Sequence, residues 1–341
     1  MWGILGNATI ARKCVIPAIQ KSKNGQIRML GTRHPERAAE MATRHQIPVV
    51  QDTYEAVLAD PQIDAIYIPL PNHLHLPWTI KAFEAGKHVL CEKPLACNAA
   101  EAQAMAAAAS KHNRVLMEAM MYRFHPRSRQ IKSTIANGTI GAPRLVRAAF
   151  CYHMDPEVLA AKGNARLYPE MGGGALLDVG CYCVSTARWM FEQEVHQVQA
   201  QASFKHDVDI HVVGTLTFSH DKLATIEASF ISALQQTYTV IGSRGAIELP
   251  HDAFIPWEKD AQYLTRGVDE EEGQRRVVAG ADEYQLMVEH FAAVVLEASP
   301  PDFSIQDSIR NMQVLDALKK AAHTGNTIKL DNGNNSFLPK H

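Results

Sequence analysis

No stretch of the chain comes near the roughly 18 consecutive apolar residues that a membrane-spanning helix requires. Its first residues carry no basic segment followed by a long apolar region, so no secretory signal is read and the expected location is the cytoplasm. Neither sign of charge is in excess. Lysine and arginine total 34 against 36 aspartates and glutamates, a formal net charge of -2, too little to attract nucleic acid or an anionic membrane by bulk electrostatics. The six cysteines (14, 91, 97, 151, 181 and 183) include no C-x-x-C pair and sit mostly in apolar stretches. That pattern points to buried thiols in a reducing compartment rather than a disulfide framework. Internal repeats and low-complexity segments are likewise missing.

What remains is ordinary soluble-protein composition, 46% hydrophobic and 21% charged, on a chain of 341 residues. That length is too great for one ordinary core, so two domains are expected. The first third alternates short apolar runs ("WGIL", "IRML", "IPVV", "IDAIYIPL", "HVLCE", "VLMEAM") with helical stretches near 10–21, 36–45, 53–59, 75–85 and 98–111. Asp52 and Glu55 read as a capping-box variant, and Gly86 as the left-handed residue after a helix. Short strands separated by helices give parallel βαβ units, and six of them predict a doubly wound Rossmann sheet over residues 1–121.

Beyond Met121 the pattern changes. A helix ("HPRSRQIKSTIANGTIG"), a strand ("RLVRAAFCYH") and a second helix ("GGALLDVGCYCVSTARWMF") precede strand-like runs with no helices between them. "GSRG" reads as a tight turn between neighbouring strands, and two helices near 282–298 and 305–323 close the pattern. Residues 122–330 are therefore expected to form an α+β domain on a large, mostly antiparallel open sheet, followed by a polar tail, 331–341. The flat face of such a sheet suits burial between subunits, hence a homodimer or dimer of dimers.

The opening turn reads Gly6-Asn7-Ala8-Thr9-Ile10-Ala11, where two glycines of the dinucleotide fingerprint are alanines. Gly6 permits the tight turn, Ala8 is small enough for backbone N–H groups to approach a pyrophosphate, and Ala11 suits helix–sheet packing. A bland strand-to-helix turn is the alternative, and Pro17 in the next helix removes a hydrogen bond and is expected to bend it. The end of the second strand lacks the carboxylate that binds the ribose of NAD. It offers Thr32, Arg33 and Arg37 instead, which suit the 2′-phosphate of NADP unless the arginines are merely solvated.

Three further stretches stand out: "PLPNHLHLPWTIKAFEAGKHVLCEKPLA", "MEAMMYRFHPR" and "PEMGGGALLDVGCYCV". Lys93 would leave the C-terminal end of a parallel strand, where its ammonium can hydrogen-bond a substrate oxygen and favour an alkoxide. Asp178 and Tyr182 are four apart on a predicted helix and share a face. A phenol ordinarily titrates near 10, and a neighbouring ammonium favours the phenolate, so Tyr182 is the candidate general acid/base. Asp178 would orient Lys93 or hold a substrate hydroxyl. The glycines at 172–174 are expected to permit a close backbone approach, and the alanine-rich helix 99–109 reads as packing. Pairing His73 and His75 with Cys181 and Cys183 matches no zinc spacing, so no metal site is expected.

These stretches, with Glu92-Lys93-Pro94 the most specific, make the whole chain resemble the glucose–fructose oxidoreductase and inositol dehydrogenase (Gfo/Idh/MocA) family of NAD(P)-dependent oxidoreductases. "GGGALLDVGCY" and "GILGNATIA" are similar to the branch of dimeric dihydrodiol dehydrogenases, NADP-dependent pentose dehydrogenases and nucleotide-linked keto-sugar reductases. Many relatives have histidine where Tyr182 stands, so the tyrosine fits that branch rather than inositol dehydrogenase proper. The resemblance implies cofactor contacts from Leu70, Pro71, Asn72, His75 and Glu92. Arg123 and His125, at the domain junction, and Arg166, before the glycine run, are read as reaching cofactor or substrate or as structural. The expected protein is an enzyme that uses NADP(H), with NAD(H) the alternative, on a CH–OH group of a small sugar, polyol or vicinal diol. A nucleotide-linked keto-sugar reductase and a non-catalytic NADP-binding sensor are the other readings.

Overall fold

Residues 1–161 and 163–331 are described by the computed structural model, which divides into two units. The first comprises Met1–Phe124 and Asp282–Ile309, the second His125–Ala281 and the chain from Arg310 onward. In the first unit, strands β1 (Trp2–Leu5), β2 (Ile27–Gly31), β3 (Val49–Gln51), β4 (Ala65–Ile68), β5 (His88–Cys91) and β6 (Leu116–Glu118) form one sheet. Every pairing in it is parallel and the order is β3-β2-β1-β4-β5-β6. β1 and β4 are buried at every position because helices cover both faces, which is why they read as unbroken apolar runs. Strand order reverses between β1 and β4, which creates the crevice where such sheets bind ligands.

Helices α1 (Ile16–Lys21), α2 (Pro35–Arg44), α3 (Tyr54–Ala59), α4 (His75–Glu84) and α5 (Ala99–Lys111) link these strands. Gly86 follows α4 at φ 74°, as its position implied, and α5 buries Ala99, Ala102, Met105 and Ala109. Two local expectations are corrected. The cap of α3 is Thr53 rather than Asp52: its hydroxyl accepts the Ala56 N–H at 3.3 Å. The helix holding Pro17 does not simply bend. Ala11–Val15 form a π turn that runs directly into α1, the Ile16 N–H donating to the Ala11 carbonyl, so Pro17 falls where the helix leaves its i→i+5 bonding.

In the second unit, α6 (Pro126–Ala136) leads to β7 (Pro143–His153), a short α7 (Pro156–Ala160) and α8 (Cys181–Phe191). A π turn, Leu176–Gly180, runs directly into α8. β8 (Gln197–Lys205), β9 (Val208–Thr217), β10 (Leu223–Ser229), β11 (Ile231–Gly242), β12 (Gly245–Leu249), β13 (Ala261–Gly267), β14 (Gln274–Val278) and β15 (Ile328–Lys329) complete a nine-stranded sheet with β7. Its order is β14-β13-β12-β11-β7-β10-β9-β8-β15, antiparallel except where β7 lies parallel to β10. Alternation sorts the two faces. Val146, Ala148, Phe150, Val212, Leu216 and Ile226 face inward beneath α8, while Arg147, Val213, Thr215 and Thr225 face outward.

The first unit takes in α9 (Glu283–Glu297), from far along the chain, besides the stretch up to Phe124. Its buried face of Tyr284, Met287, Val288 and Phe291 packs on α1, with the Phe291 ring 5.0 Å from that of Trp2. α10 (Ile305–Thr324) begins in the first unit and continues in the second, where the Asn311 amide donates to the Cys181 carbonyl at 3.1 Å. The polar tail lies, from 332 on, outside the described residues. All six cysteines are thiols, and five are buried. No helix among the described residues is long and apolar enough to cross a membrane.

Candidate active site

The turn after β1 is shaped by Gly6. Its φ of 106° is left-handed territory, and a Cβ there would lie 2.9 Å from the Leu70 side chain. Its N–H donates to the Gly31 carbonyl at 2.7 Å, tying the turn to the end of β2. Thr9 and Ile10 then open the helix, while Ala11 is fully buried against the sheet. The first N–H groups of a helix lack intrahelical partners, so this turn presents donors at the strand edge. Beside it, Thr32 is buried with its hydroxyl accepting the His34 N–H at 3.3 Å. Arg33 is exposed and its charge opposes the rise that burial gives the Tyr54 phenol, and the Asn7 amide donates to the Arg37 carbonyl at 3.2 Å. Gly6, Thr32, Arg33 and Arg37 thus share one edge of the sheet, with no carboxylate at the end of β2.

Lys93 follows β5 at the same edge and is half-buried. Its neighbours hold the loop from inside. Glu92 is buried: one oxygen accepts the Tyr67 hydroxyl at 2.6 Å and the other the Lys93 N–H at 3.2 Å. Pro71 and Asn72 are half-buried where β4 runs into a short 3₁₀ turn. His75 is fully buried, and both ring nitrogens face backbone carbonyls. Nε2 lies 2.8 Å from the Leu70 oxygen and Nδ1 3.0 Å from that of Pro94. Burial lowers its pKa, with the carbonyls opposing. Arg123 is an internal residue too, only 5% exposed, with its guanidinium 2.8 Å from Asp307 and over the Phe303 ring.

In the second unit the glycine run folds around residue 166. Gly174, at φ 116°, donates its N–H to the Arg166 carbonyl at 2.9 Å, and a Cβ on Gly173 would collide with that same carbonyl. Arg166 is thereby held against the helix, and its Nε donates to Asp178 Oδ2 at 2.8 Å. The same oxygen accepts the Tyr152 hydroxyl from β7 at 3.0 Å. The Asp178 charge, ahead of opposing burial, raises the Arg166 pKa, while burial and then Asp178 raise that of Tyr152. Arg166 therefore stays a guanidinium and Tyr152 a neutral phenol beside Asp178. Tyr182 is 5% exposed, its ring 5.4 Å from Phe150 and 5.5 Å from Phe254, which stack on each other at 5.3 Å. Asp209 braces the start of this helix, accepting the Leu176 N–H at 2.6 Å. His125, also fully buried, caps α6 by accepting the Arg127 N–H at 3.0 Å, and burial lowers its pKa to about 4.

The structure gathers Gly6, Thr32, Arg33, Arg37 and Lys93 along one strand edge of the first unit, and Asp178 with Arg166 in the second. Sequence reasoning missed Tyr152 and Asp209. Tyr152 carried one faint signal, an aromatic on the inward period of a strand. Asp209 carried none. The spacing of Asp178 and Tyr182 crosses the π turn, which closes i→i+5 bonds, so four residues there span slightly less than a turn.

Residues 1–120 match the model of an oxidoreductase family with an NAD-binding Rossmann fold, and residues 128–248 that of the GFO/IDH/MocA C-terminal domain. Among similar proteins, an NADP(+) D-xylose 1-dehydrogenase of Haloferax volcanii is 36% identical, covering 97% of this chain and 100% of its own. A trans-1,2-dihydrobenzene-1,2-diol dehydrogenase of Xenopus tropicalis is 32% identical over 75% of this chain and 76% of its own. A 3-ketoreductase of Actinomadura kijaniata, solved with NADP and TDP-benzene, superposes with a TM-score of 0.85 at 28% identity, covering 94% and 97%. Matched in both halves, and to the xylose dehydrogenase from end to end, this chain belongs to the GFO/IDH/MocA family of oxidoreductases with an NAD-binding Rossmann domain.

Proposed function

We propose that the protein is an NADP-dependent oxidoreductase that interconverts a secondary alcohol and a ketone, or an aldose and its lactone, on a sugar, polyol or vicinal diol. The observation that carries this reading is Lys93, half-buried after β5 at the strand edge that also bears the Gly6 turn. The relatives that act on xylose and on a dihydrobenzenediol support the substrate class. NADP fits the residues present: a turn that tolerates no side chain at Gly6, and Arg33 and Arg37 where an NAD enzyme has an acid. Gly6, Ala8, Thr9 and Ile10 would take the pyrophosphate, Thr32, Arg33 and Arg37 the 2′-phosphate, and Leu70, Pro71, Asn72 and Glu92 the nicotinamide half. When bound, NADP supplies or accepts the hydride at nicotinamide C4.

The protein's part is to handle oxygen and proton. Lys93 Nζ hydrogen-bonds the reacting oxygen and favours its alkoxide. Tyr182 Oη takes the hydroxyl proton in oxidation and returns it in reduction, and the rings of Phe150 and Phe254 keep water from the phenol. Asp178, fixed by Arg166 and Tyr152, orients a neighbouring substrate hydroxyl. A nucleotide-linked keto-sugar is the second substrate reading, favoured by full-length similarity to the 3-ketoreductase. The six thiols suit a reducing cytoplasm, and the outward face of the second sheet suits a homodimer or dimer of dimers.

Steady-state turnover with NADP(H) against pentoses, hexoses, vicinal diols and TDP-keto-sugars tests this reading. Tyr182→Phe should lower kcat by roughly 10²-fold or more with cofactor affinity unchanged. Tight NADPH binding without turnover on any compound would overturn the enzymatic reading.

A further inference from the structure

Glu118 ends β6, is 2% exposed, and has no part in the chemistry above. Its Oε1 accepts the N–H of Leu95, two residues beyond Lys93, at 2.9 Å. From another side His75 Nδ1 holds the Pro94 carbonyl at 3.0 Å, and Glu92 holds the Lys93 N–H at 3.2 Å. Each residue from Lys93 to Leu95 is thus gripped at its backbone by a buried side chain, Pro94 by one from α4, Leu95 by one from β6 and Lys93 by that of its own neighbour Glu92. Three polar groups hold the loop at its backbone.

We propose that Glu118 is a positioning residue for Lys93, holding through the Leu95 amide the loop on which the catalytic ammonium is carried. This rests on the reading of Lys93 as catalytic. A carboxylate makes a shorter, stronger bond to an N–H than a neutral acid does, so the grip tightens when Glu118 ionises. The groups facing it are Ser308, which lowers its pKa, Asp307 and Arg123, which act in opposite directions, and Cys91 on β5. Burial is the largest influence and lifts the carboxyl to about 7, so both states are populated near neutral pH.

The test follows Lys93 itself, by NMR of the whole protein after reductive methylation of its lysines with ¹³C-formaldehyde. The Lys93 signal is identified by its loss in Lys93→Ala. It should show an inflection between pH 6 and 8 that vanishes in Glu118→Gln, and Glu118→Ala should lower kcat roughly ten- to a hundredfold while NADPH affinity changes less than twofold. A wild-type Lys93 signal that runs flat from pH 6 to 8 overturns the proposal whether or not the Glu118 variants fold. An inflection that persists in Glu118→Gln overturns it equally. Near-normal turnover in Lys93→Ala would instead sink the catalytic reading of Lys93, a result distinct from both.

Discussion

At the scale of single residues the site is a set of charges arranged so that few are left to chance. Arg33 is the residue on which cofactor choice turns. Removing one charge-assisted contact to the 2′-phosphate costs about 1.5–3 kcal/mol, so Arg33→Ala should weaken NADP binding roughly ten- to a hundredfold and NAD hardly at all. Fluorescence titration of NADPH and NADH checks this, and equal losses would return Arg33 to the role of a solvated cation. Lys93, Asp178 and Tyr182 were legible in the sequence as candidates because each sits in a short motif. Tyr152, Asp209 and Glu118 were not. Their partners, Asp178, Leu176 and Leu95, are 26, 33 and 23 residues away, and nothing near them in the chain announces the meeting. For His75 and Arg123, nearness to a strand end was visible, but not that their side chains are buried.

Among elements, the six parallel strands and most helices follow from periodicity alone. The two π turns do not, since five residues of apolar spacing look the same in an α-helix and a π turn. β14 escaped notice because four of its five residues are exposed and no alternation marks it. The helix of Asp178 and Tyr182 starts on Asp209, which burial raises to about 6. The unfolded chain therefore ionises this group first, and stability present below about pH 4 is lost as pH rises through 6. Asp209→Asn keeps an acceptor for the Leu176 N–H without that penalty, about 3 kcal/mol for a shift of this size. Its Tm relative to wild type should rise by several degrees between pH 4 and 7 in calorimetric scans. A Tm difference that stays constant over this range would show that Asp209 is not the group involved.

For the molecule as a whole, the outward face of the second sheet sets the expected assembly. Val213 and Leu223 are 47% and 49% exposed there, amid threonine and glutamine. Val213→Lys, placing a charge in the middle of that face, should halve the mass measured by sedimentation equilibrium, whereas an unchanged mass would move the interface elsewhere. The first unit also joins two distant stretches of chain, since Trp2 packs on Phe291 and Arg123 pairs with Asp307. On the ribosome, the Rossmann strands emerge first, yet the helix that covers Trp2 is made roughly 160 residues after Phe124, about 10–30 s later at ordinary synthesis rates. The nucleotide half of this enzyme must wait, with an open apolar flank, until nearly all of the other half has been translated.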